Sequence, residues 1–401
     1  MTPSVPAVVA GCSKAGLAII RALGARGVPI VGLTYGPGQI GRSSRYVKGT
    51  IVVPDPAESE HAFVASLTRA AQRGLRGAVL FPSDDASLVA IARHRHSLVE
   101  HYRIVAERWE LVQKLIEKQH TYAIAHAAGV PYPRLHRVRD ASAALTFARE
   151  IGYPCLLKPA VSHLFFRRFG CKMWVLRSEA ELESGIRRAM GYGGELLLCE
   201  LIPGPDTCGA NYNSFCVHGR PVQEFTAHKV RLKPTAIGFP TVVRSACIAE
   251  VMEAGRRMTA ALELNGFSCM EFKRDVRDDV YKLMEVNARH NYSGSLATAC
   301  GIDFPYLSYR AARGMPLPSA RAQPRSELFW IDEERDLLGA FGALCRGPRA
   351  ARDYVAPYLH RKVCAVASLS DPMPALSLLR AGLGGVLKRR RPAAQGGIAK
   401  A

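Results

Sequence analysis

Residues 267–289 read FSCMEFKRDVRDDVYKLMEVNAR. Two runs of alternating apolar and polar residues flank Arg277-Asp278-Asp279, whose aspartates favour a turn. This is the pattern of an antiparallel hairpin. A turn centred on Asp278 sets Glu271 directly opposite Glu285, with Cβ atoms ~5 Å apart. Asn287 shares their face, because strand side chains alternate with a period of two. The other face then carries Met270, Phe272, Met284 and Val286, an ordinary apolar core face. Directly opposed carboxylates repel, so something must offset them. A hard divalent cation does so, since Mg²⁺ takes oxygen ligands from one or two carboxylates together with phosphates. The competing readings pair one glutamate with Lys273 or an arginine, or slip the register by one residue. The residue pattern leaves all of these open.

Composition bounds what surrounds this hairpin. With 401 residues and 48% hydrophobic content, the chain can build a large core and is too long for one ordinary domain. No run approaches the ~18 apolar residues of a membrane span. The first residues, MTPSVPAVVAGCSKAG, lack a basic stretch followed by a long apolar run and do not read as a signal peptide. Eleven cysteines, an odd number without a CxxC pair, point to reduced thiols in a cytoplasmic protein rather than a disulfide framework or a zinc site. The net charge of +20 suits anionic ligands. It is uneven: from Phe341 to Ala401 eleven Lys or Arg face only Asp353 and Asp371, so this segment carries +9 of the total. Nucleic acid has net charge alone in its favour and is not expected as a partner. Leu376–Leu387 followed by Lys388-Arg389-Arg390-Arg391 has the makings of a lipid-surface segment. Glycines at 382, 384 and 385 weaken any helix there, so a solvated tail is the favoured reading.

Along the chain, Ala7–Ala10, a Gly11–Gly16 turn (GCSKAG), a helical run over Leu17–Ala25 and an apolar Val28–Leu33 make a strand–helix–strand unit of a parallel α/β sheet. Ala78–Phe81 and Ile104–Ala106 add strands, with Pro82-Ser83-Asp84-Asp85 at the end of the former. Leu111–Ala128 reads as one helix stopped by Gly129 and Pro131. Thereafter short strands dominate: Pro154–Lys158, Met173–Arg177, Glu195–Ile202, Asn211–Val217 and Val222–Ala227, an α+β pattern with antiparallel sheet.

These features together resemble the ATP-grasp superfamily. EVNAR-H is similar to its terminal metal strand and Met270-Glu271-Phe272 to the strand before it. The resemblance runs from about residue 5 to about 315. VVAGCSKAGLAIIRALGARGVPIVGL and IGRSSRYVKGTIVVPDP look like the branch that includes D-aspartate ligases and other carboxylate–amine ligases. The fold implied is α/β and α+β: an N-terminal parallel α/β domain over 1–110, an ATP-grasp domain over 111–320 with subdomains at about 111–194 and 195–320, and a C-terminal extension over 321–401 with a basic tail. Carried over residue by residue, Lys118 in Glu117-Lys118 followed by AHAAGVPYP is implied as a phosphate contact, and Lys158 in PCLLKP as reaching the α/β-phosphates. In CELIPGPD, Glu200, Leu201 and Ile202 would meet adenine and Asp206 the ribose. Glu271, Glu285 and Asn287 would hold two Mg²⁺ (or Mn²⁺). HKVRLKPTAIGFPTVVRS resembles the basic loop of the branch and places Lys229 and Arg231 near the transferred phosphate. One departure stands out. The loop after Lys158, often small and Gly/Ser-rich in the superfamily, is SHLFFRRFGCK here, with His163, Arg167 and Arg168 as alternative phosphate contacts.

The implied activity is ATP-dependent carbon–nitrogen ligation. A carboxylate, in keeping with an amino acid, becomes an acyl phosphate, an amine displaces phosphate, and Arg289 steadies the reacting group by bidentate contact. His290, Asn291 and Ser293 are candidates for the same pocket. The small-molecule carboxylate and amine are not named by the sequence, and a homodimer is among the expected assemblies. Two rivals stand beside this reading: other acyl phosphate chemistry (a carboxylase-type or peptide-tailoring ligase), and an inactive nucleotide-binding scaffold. Each motif also has a blander reading. Lys158 fits a snorkelling edge lysine, Lys118 a solvated helix residue, Asp206 a turn residue, and His228 to Lys233 a solvated charged loop. GCSKAG lacks GxGxxG and has no acidic residue after the second strand, which argues against a dinucleotide.

Overall fold

The computed structural model describes residues 5–380, apart from 37, 161–164, 166–167, 172, 190, 236–237, 320–322 and 324–326. Three sheets organise it. The first is parallel, in the order β3-β2-β1-β4-β5, from β1 (Ala7–Ala10), β2 (Ile30–Thr34), β3 (Val47–Val52), β4 (Val79–Pro82) and β5 (Arg103–Ile104). Strands β1 and β4 are wholly apolar and buried because helices cover both faces of a parallel sheet. Strand order reverses between β1 and β4, and open α/β sheets bind ligands outside such a point. Gly11 stands there with φ 95°, and a Cβ on it would collide with Tyr35, Ser83 and Asp84.

The second sheet is antiparallel, in the order β6-β9-β7-β8: β6 (Leu135–Val138), β7 (Cys155–Pro159), β8 (Trp174–Leu176) and β9 (Leu196–Glu200). The sequence reading opened a new subdomain at residue 195. Strand β9 instead lies between β6 and β7, because all five residues of LLLCE are buried. The aromatic loop after Lys158 is partly explained: Phe165 is fully buried, with ring centroids 4.5 Å from Phe169, 5.0 Å from Trp174 and 5.3 Å from Tyr192. His163 and Arg167 lie outside the described residues, and Arg168 is exposed.

The third sheet has seven strands in the order β14-β13-β10-β11-β12-β15-β16. They are β10 (Gly209–Val217), β11 (Arg220–Lys233), β12 (Phe239–Ser245), β13 (Gly266–Arg274), β14 (Tyr281–Asn287), β15 (Phe329–Ile331) and β16 (Lys362–Cys364). One face packs Tyr212, Met270, Phe272, Leu283 and Val286 under the helix Ala249–Ala261 and the helices near residue 118. The other packs Phe215, Phe225, Phe267 and Cys269 against Leu296, Phe304 and Leu307, and against Leu17 of the first domain.

Two expectations need correction. The helix expected over Leu111–Ala128 is two helices, Trp109–Ile116 and Lys118–Ala127, broken at Glu117, whose backbone is extended. Thr121 Oγ1 donates to the Lys114 carbonyl at 3.0 Å, satisfying one of the acceptors the break releases. Residues beyond 320 are not a separate appendage either, since β15 and β16 complete the third sheet. A buried carboxylate then ties this segment to the first domain. Asp371, fully inaccessible, accepts Arg21 Nε at 2.9 Å, Ser44 Oγ at 2.8 Å and the Arg45 N–H at 2.9 Å. The residues after 380, including the basic tail, lie outside the described residues.

Removing one side of a buried, multiply bonded ion pair strands the other. Asp371→Ala is expected to cost about 3 kcal/mol of unfolding free energy in urea titration. Truncating the exposed Arg45 side chain should cost well under half of that.

Candidate active site

The site begins with the hairpin. Strands β13 and β14 pair with Glu271 directly opposite Glu285, Met270 opposite Val286 and Cys269 opposite Asn287. The opposed carboxylates are therefore real. A bulge follows immediately, so Phe272 faces Leu283 rather than Met284. Leu283 takes the core position that the alternation assigned to Met284, and Met284 is only half-buried. The loop between the strands is held by Asp275, fully inaccessible, which accepts Arg277 Nε at 2.9 Å and Lys282 Nζ at 2.5 Å.

Two lysines compensate the carboxylates, and neither is Lys273, which lies opposite Lys282. Lys229 Nζ sits 2.5 Å from Glu271 Oε2, and Lys118 Nζ sits 3.3 Å from Glu285 Oε1. The first pair is largely buried on the lysine side. The second is looser, with the Glu285 side chain 46% exposed. Lys118 is delivered by a backbone irregularity and Lys229 by a strand. The break at Glu117 puts Lys118 at the start of its helix, where Tyr122, one turn on, donates to the Met284 carbonyl at 3.1 Å. Lys229 belongs to β11 and not to a charged loop; its stem crosses Gly209, where a Cβ would lie 2.8 Å from Lys229 Cδ. On β10, Asn211 faces Glu271, and its buried Oδ1 has no hydrogen-bond partner among the described residues. Two carboxylates, the amide of Asn287 and this orphaned amide oxygen make an all-oxygen set that fits a hard divalent cation.

Lys158, on the fully buried strand β7, completes the basic lining. No carboxylate lies within ion-pair distance of it among the described residues; its neighbours include Cys199, Lys118 and Glu285. Burial pushes its ammonium below the ordinary lysine range, although the Cys199 sulfur opposes this, and Lys118 pushes further down. A buried cation without an anion is a position that a phosphate would relieve.

Other expected residues are placed differently. Glu200 Oε1 accepts Arg277 at 2.5 Å and Oε2 accepts the Arg134 N–H at 3.0 Å, so this carboxylate ties β9 to the hairpin loop. Leu201 is half-buried and Ile202 buried, directly after β9. Asp206 Oδ2 accepts the Leu232 N–H at 2.8 Å and braces β11. Arg231 departs most from expectation. Its guanidinium lies 2.7 Å from the inaccessible Asp336 and 3.7 Å over the Tyr354 ring, held by the segment beyond residue 320. Arg289 pairs with Asp85 through two bonds, at 2.6 and 2.9 Å, across to the switch point of the first sheet. Beside it, His290 is stacked on Phe267 at 4.3 Å, and burial lowers it to about 3. Asn291 Nδ2 donates to Asn213 at 3.2 Å. Asn211, Asp85 and Asp336 were not singled out by sequence. Asp85 stood in the quoted Pro82–Asp85 turn, but strand β10 and residue 336 carried no motif.

A parallel sheet, an antiparallel four-stranded sheet and a seven-stranded sheet whose β13–β14 hairpin opposes two glutamates, with Lys158 from the second sheet, Lys118 from a helix and Lys229 from the third sheet itself around them, are decisive. The chain has the ATP-grasp fold. Among solved structures it matches the biotin carboxylase domain dimer of 2-oxoglutarate carboxylase from Hydrogenobacter thermophilus, in complex with MgADP, ADP and bicarbonate, with TM-score 0.63, 17% identity and coverage of 80% of this chain and 73% of that one. In sequence it is 25% identical to D-aspartate ligase of Enterococcus faecium over 56% of each chain. It is 24% identical to D-alanine–D-alanine ligase of Pseudomonas fluorescens over 48% of this chain and 60% of that one. The chain thus spans little more than half the length of these curated relatives. No family model matches it. No helix among the described residues is long and apolar enough to cross a membrane, and all eleven cysteines are free thiols.

Two measurements probe these assignments. Lys158→Met should raise the Tm of the nucleotide-free protein, by removing a buried cation with no carboxylate at ion-pair distance among the described residues, and abolish the Tm gain on adding ATP. His290 is depressed from 6.5 to about 3, so the unfolded chain binds a proton that the folded one does not between those values. Stability is therefore lost as pH falls from 6.5 toward 3, and His290→Phe should make the urea midpoint fall less steeply over that window.

Proposed function

We propose that this protein activates a carboxylate, that of an amino acid, with ATP and joins it to an amine, releasing ADP and phosphate. The observation that supports this best is the Glu271–Glu285 pair with three lysines around it, in an ATP-grasp fold whose curated relatives are amino acid ligases. The reaction has two displacements. A substrate carboxylate oxygen attacks the γ-phosphorus and the bond to ADP breaks. The amine nitrogen then attacks the acyl carbon, phosphate leaves with the bonding pair, and the nitrogen sheds its proton.

Glu271, Glu285 and Asn287 would hold two Mg²⁺ or Mn²⁺, which neutralise phosphate charge when bound. Lys118 and Lys158 bind the phosphates of ATP, and Lys229 lies nearest the group in transit. The backbone of Leu201 and Ile202 meets adenine, while Glu200 fixes that strand by its bonds to Arg277 and Arg134. Asp206 is assigned to the ribose. Arg289 exchanges the Asp85 carboxylate for the oxyanion of the substrate, a like-for-like swap of bidentate partners. Arg231 acts at a distance: clamped between Asp336 and Tyr354, it holds β11 and with it Lys229. The setting proposed is the cytoplasm, and a homodimer is the assembly.

Glu285→Gln preserves size and should leave the protein folded. ADP release in the presence of a carboxylate and an amine should fall by at least about a thousandfold. Mass detection of the product across amino acid, amine and bicarbonate panels separates ligation from carboxylase-type chemistry. A fully active Glu285→Gln enzyme would sink the assignment.

A further inference from the structure

We propose that the face around residues 369–380 docks onto an anionic lipid surface. The last described helix covers residues 373–380. Its inner side is anchored: Ala375 and Leu378 pack against the core that contains Leu17, Trp330 and Val366. Its outer side is apolar and open. Leu369 is fully exposed, Leu379 is 64% exposed, and Leu376 and Met373 are 44% and 43% exposed. Isolated apolar residues on a surface need no explanation, but four fall within eleven residues here, and Met373, Leu376 and Leu379 recur at the three-residue spacing that sets neighbours along a helix.

The mounting argues that the patch is presented rather than left over. Asp371, buried between Leu369 and the helix, fixes the segment to the first domain through Arg21, Ser44 and the Arg45 backbone. A rigid seat for outward leucines spares the ordering cost of insertion. Cations border the patch. Arg45 donates to the Ser370 carbonyl at 3.2 Å, next to Leu369, and Arg380 is exposed at the helix end. In sequence, Leu383, Val386 and Leu387 and then Lys388-Arg389-Arg390-Arg391 follow. Leucines flanked by guanidinium groups match the boundary of acyl chains and anionic headgroups. Nucleic acid would reward the cations and leave the leucines in water. The solvated-tail reading rested on the glycines at 382, 384 and 385; the proposal rests on the ordered residues 369–380 that precede them.

The test is cosedimentation of the full chain with vesicles of phosphatidylcholine alone and of phosphatidylcholine mixed with phosphatidylglycerol. The expected result is binding to the mixed vesicles only, weakened by added salt. Leu376→Glu with Leu379→Glu, and separately Leu369→Asp, should weaken it by at least about tenfold while ATP affinity stays unchanged. No binding to mixed vesicles would overturn the proposal. So would binding that survives both leucine variants and vanishes on deleting residues 381–401, since the tail would then act by charge alone.

Discussion

Two carboxylates set face to face across an antiparallel ladder are the constraint on which the rest of this structure depends. At ~5 Å, two like charges repel by about 3 kcal/mol at an effective dielectric of ~20, a substantial share of a domain's net stability. The chain offsets this with one lysine per glutamate, and each comes from a different element. Lys229 crosses from β11 over Gly209, and Lys118 enters at a helix break from the opposite side. The two glutamates are thus balanced without ligand, and each of these lysines holds a place that a cation can take. When phosphates arrive, the lysines have new anions to meet and the glutamates need new cations, so nucleotide and metal are expected to bind together.

The same exchange recurs around the pocket. Arg289 rests on Asp85, and its partner is itself two-thirds exposed and easily displaced. By contrast, Arg231 and Glu200 sit in fully satisfied clusters with inaccessible or nearly inaccessible acids. The chemical distinction is whether the partner is solvated. Loosely held partners mark groups free to turn to a substrate, and buried ones mark the frame. By that measure Lys118 and Arg289 are the groups that the proposed reaction can recruit, while Arg231, Asp336 and Asp275 brace the frame.

Much of this was legible in the sequence, for physical reasons. The hairpin register could be read because one face must be core, so a slip would have buried two glutamates. The parallel domain could be read because strands covered on both faces are continuous apolar runs, as in VVA and VLF. What escaped was irregular or long-range. The bulge that trades Met284 for Leu283 has no glycine to announce it. The helix break at Glu117 contains neither Gly nor Pro. Strand β9 was assigned to the wrong subdomain because strand partners are a matter of topology and not of local pattern. Arg231 was placed near the transferred phosphate, and its acid, Asp336, lies 105 residues away. Neutralising partners that remote leave no trace in spacing.

The most direct test of the central claim is calorimetric titration of the purified chain with Mg²⁺ alone, ATP alone and both. The expected result is negligible binding of the metal by itself and ATP binding that tightens when Mg²⁺ is present. No affinity for ATP, or an affinity indifferent to the metal, would contradict the claim that the opposed glutamates grip a nucleotide through divalent cations.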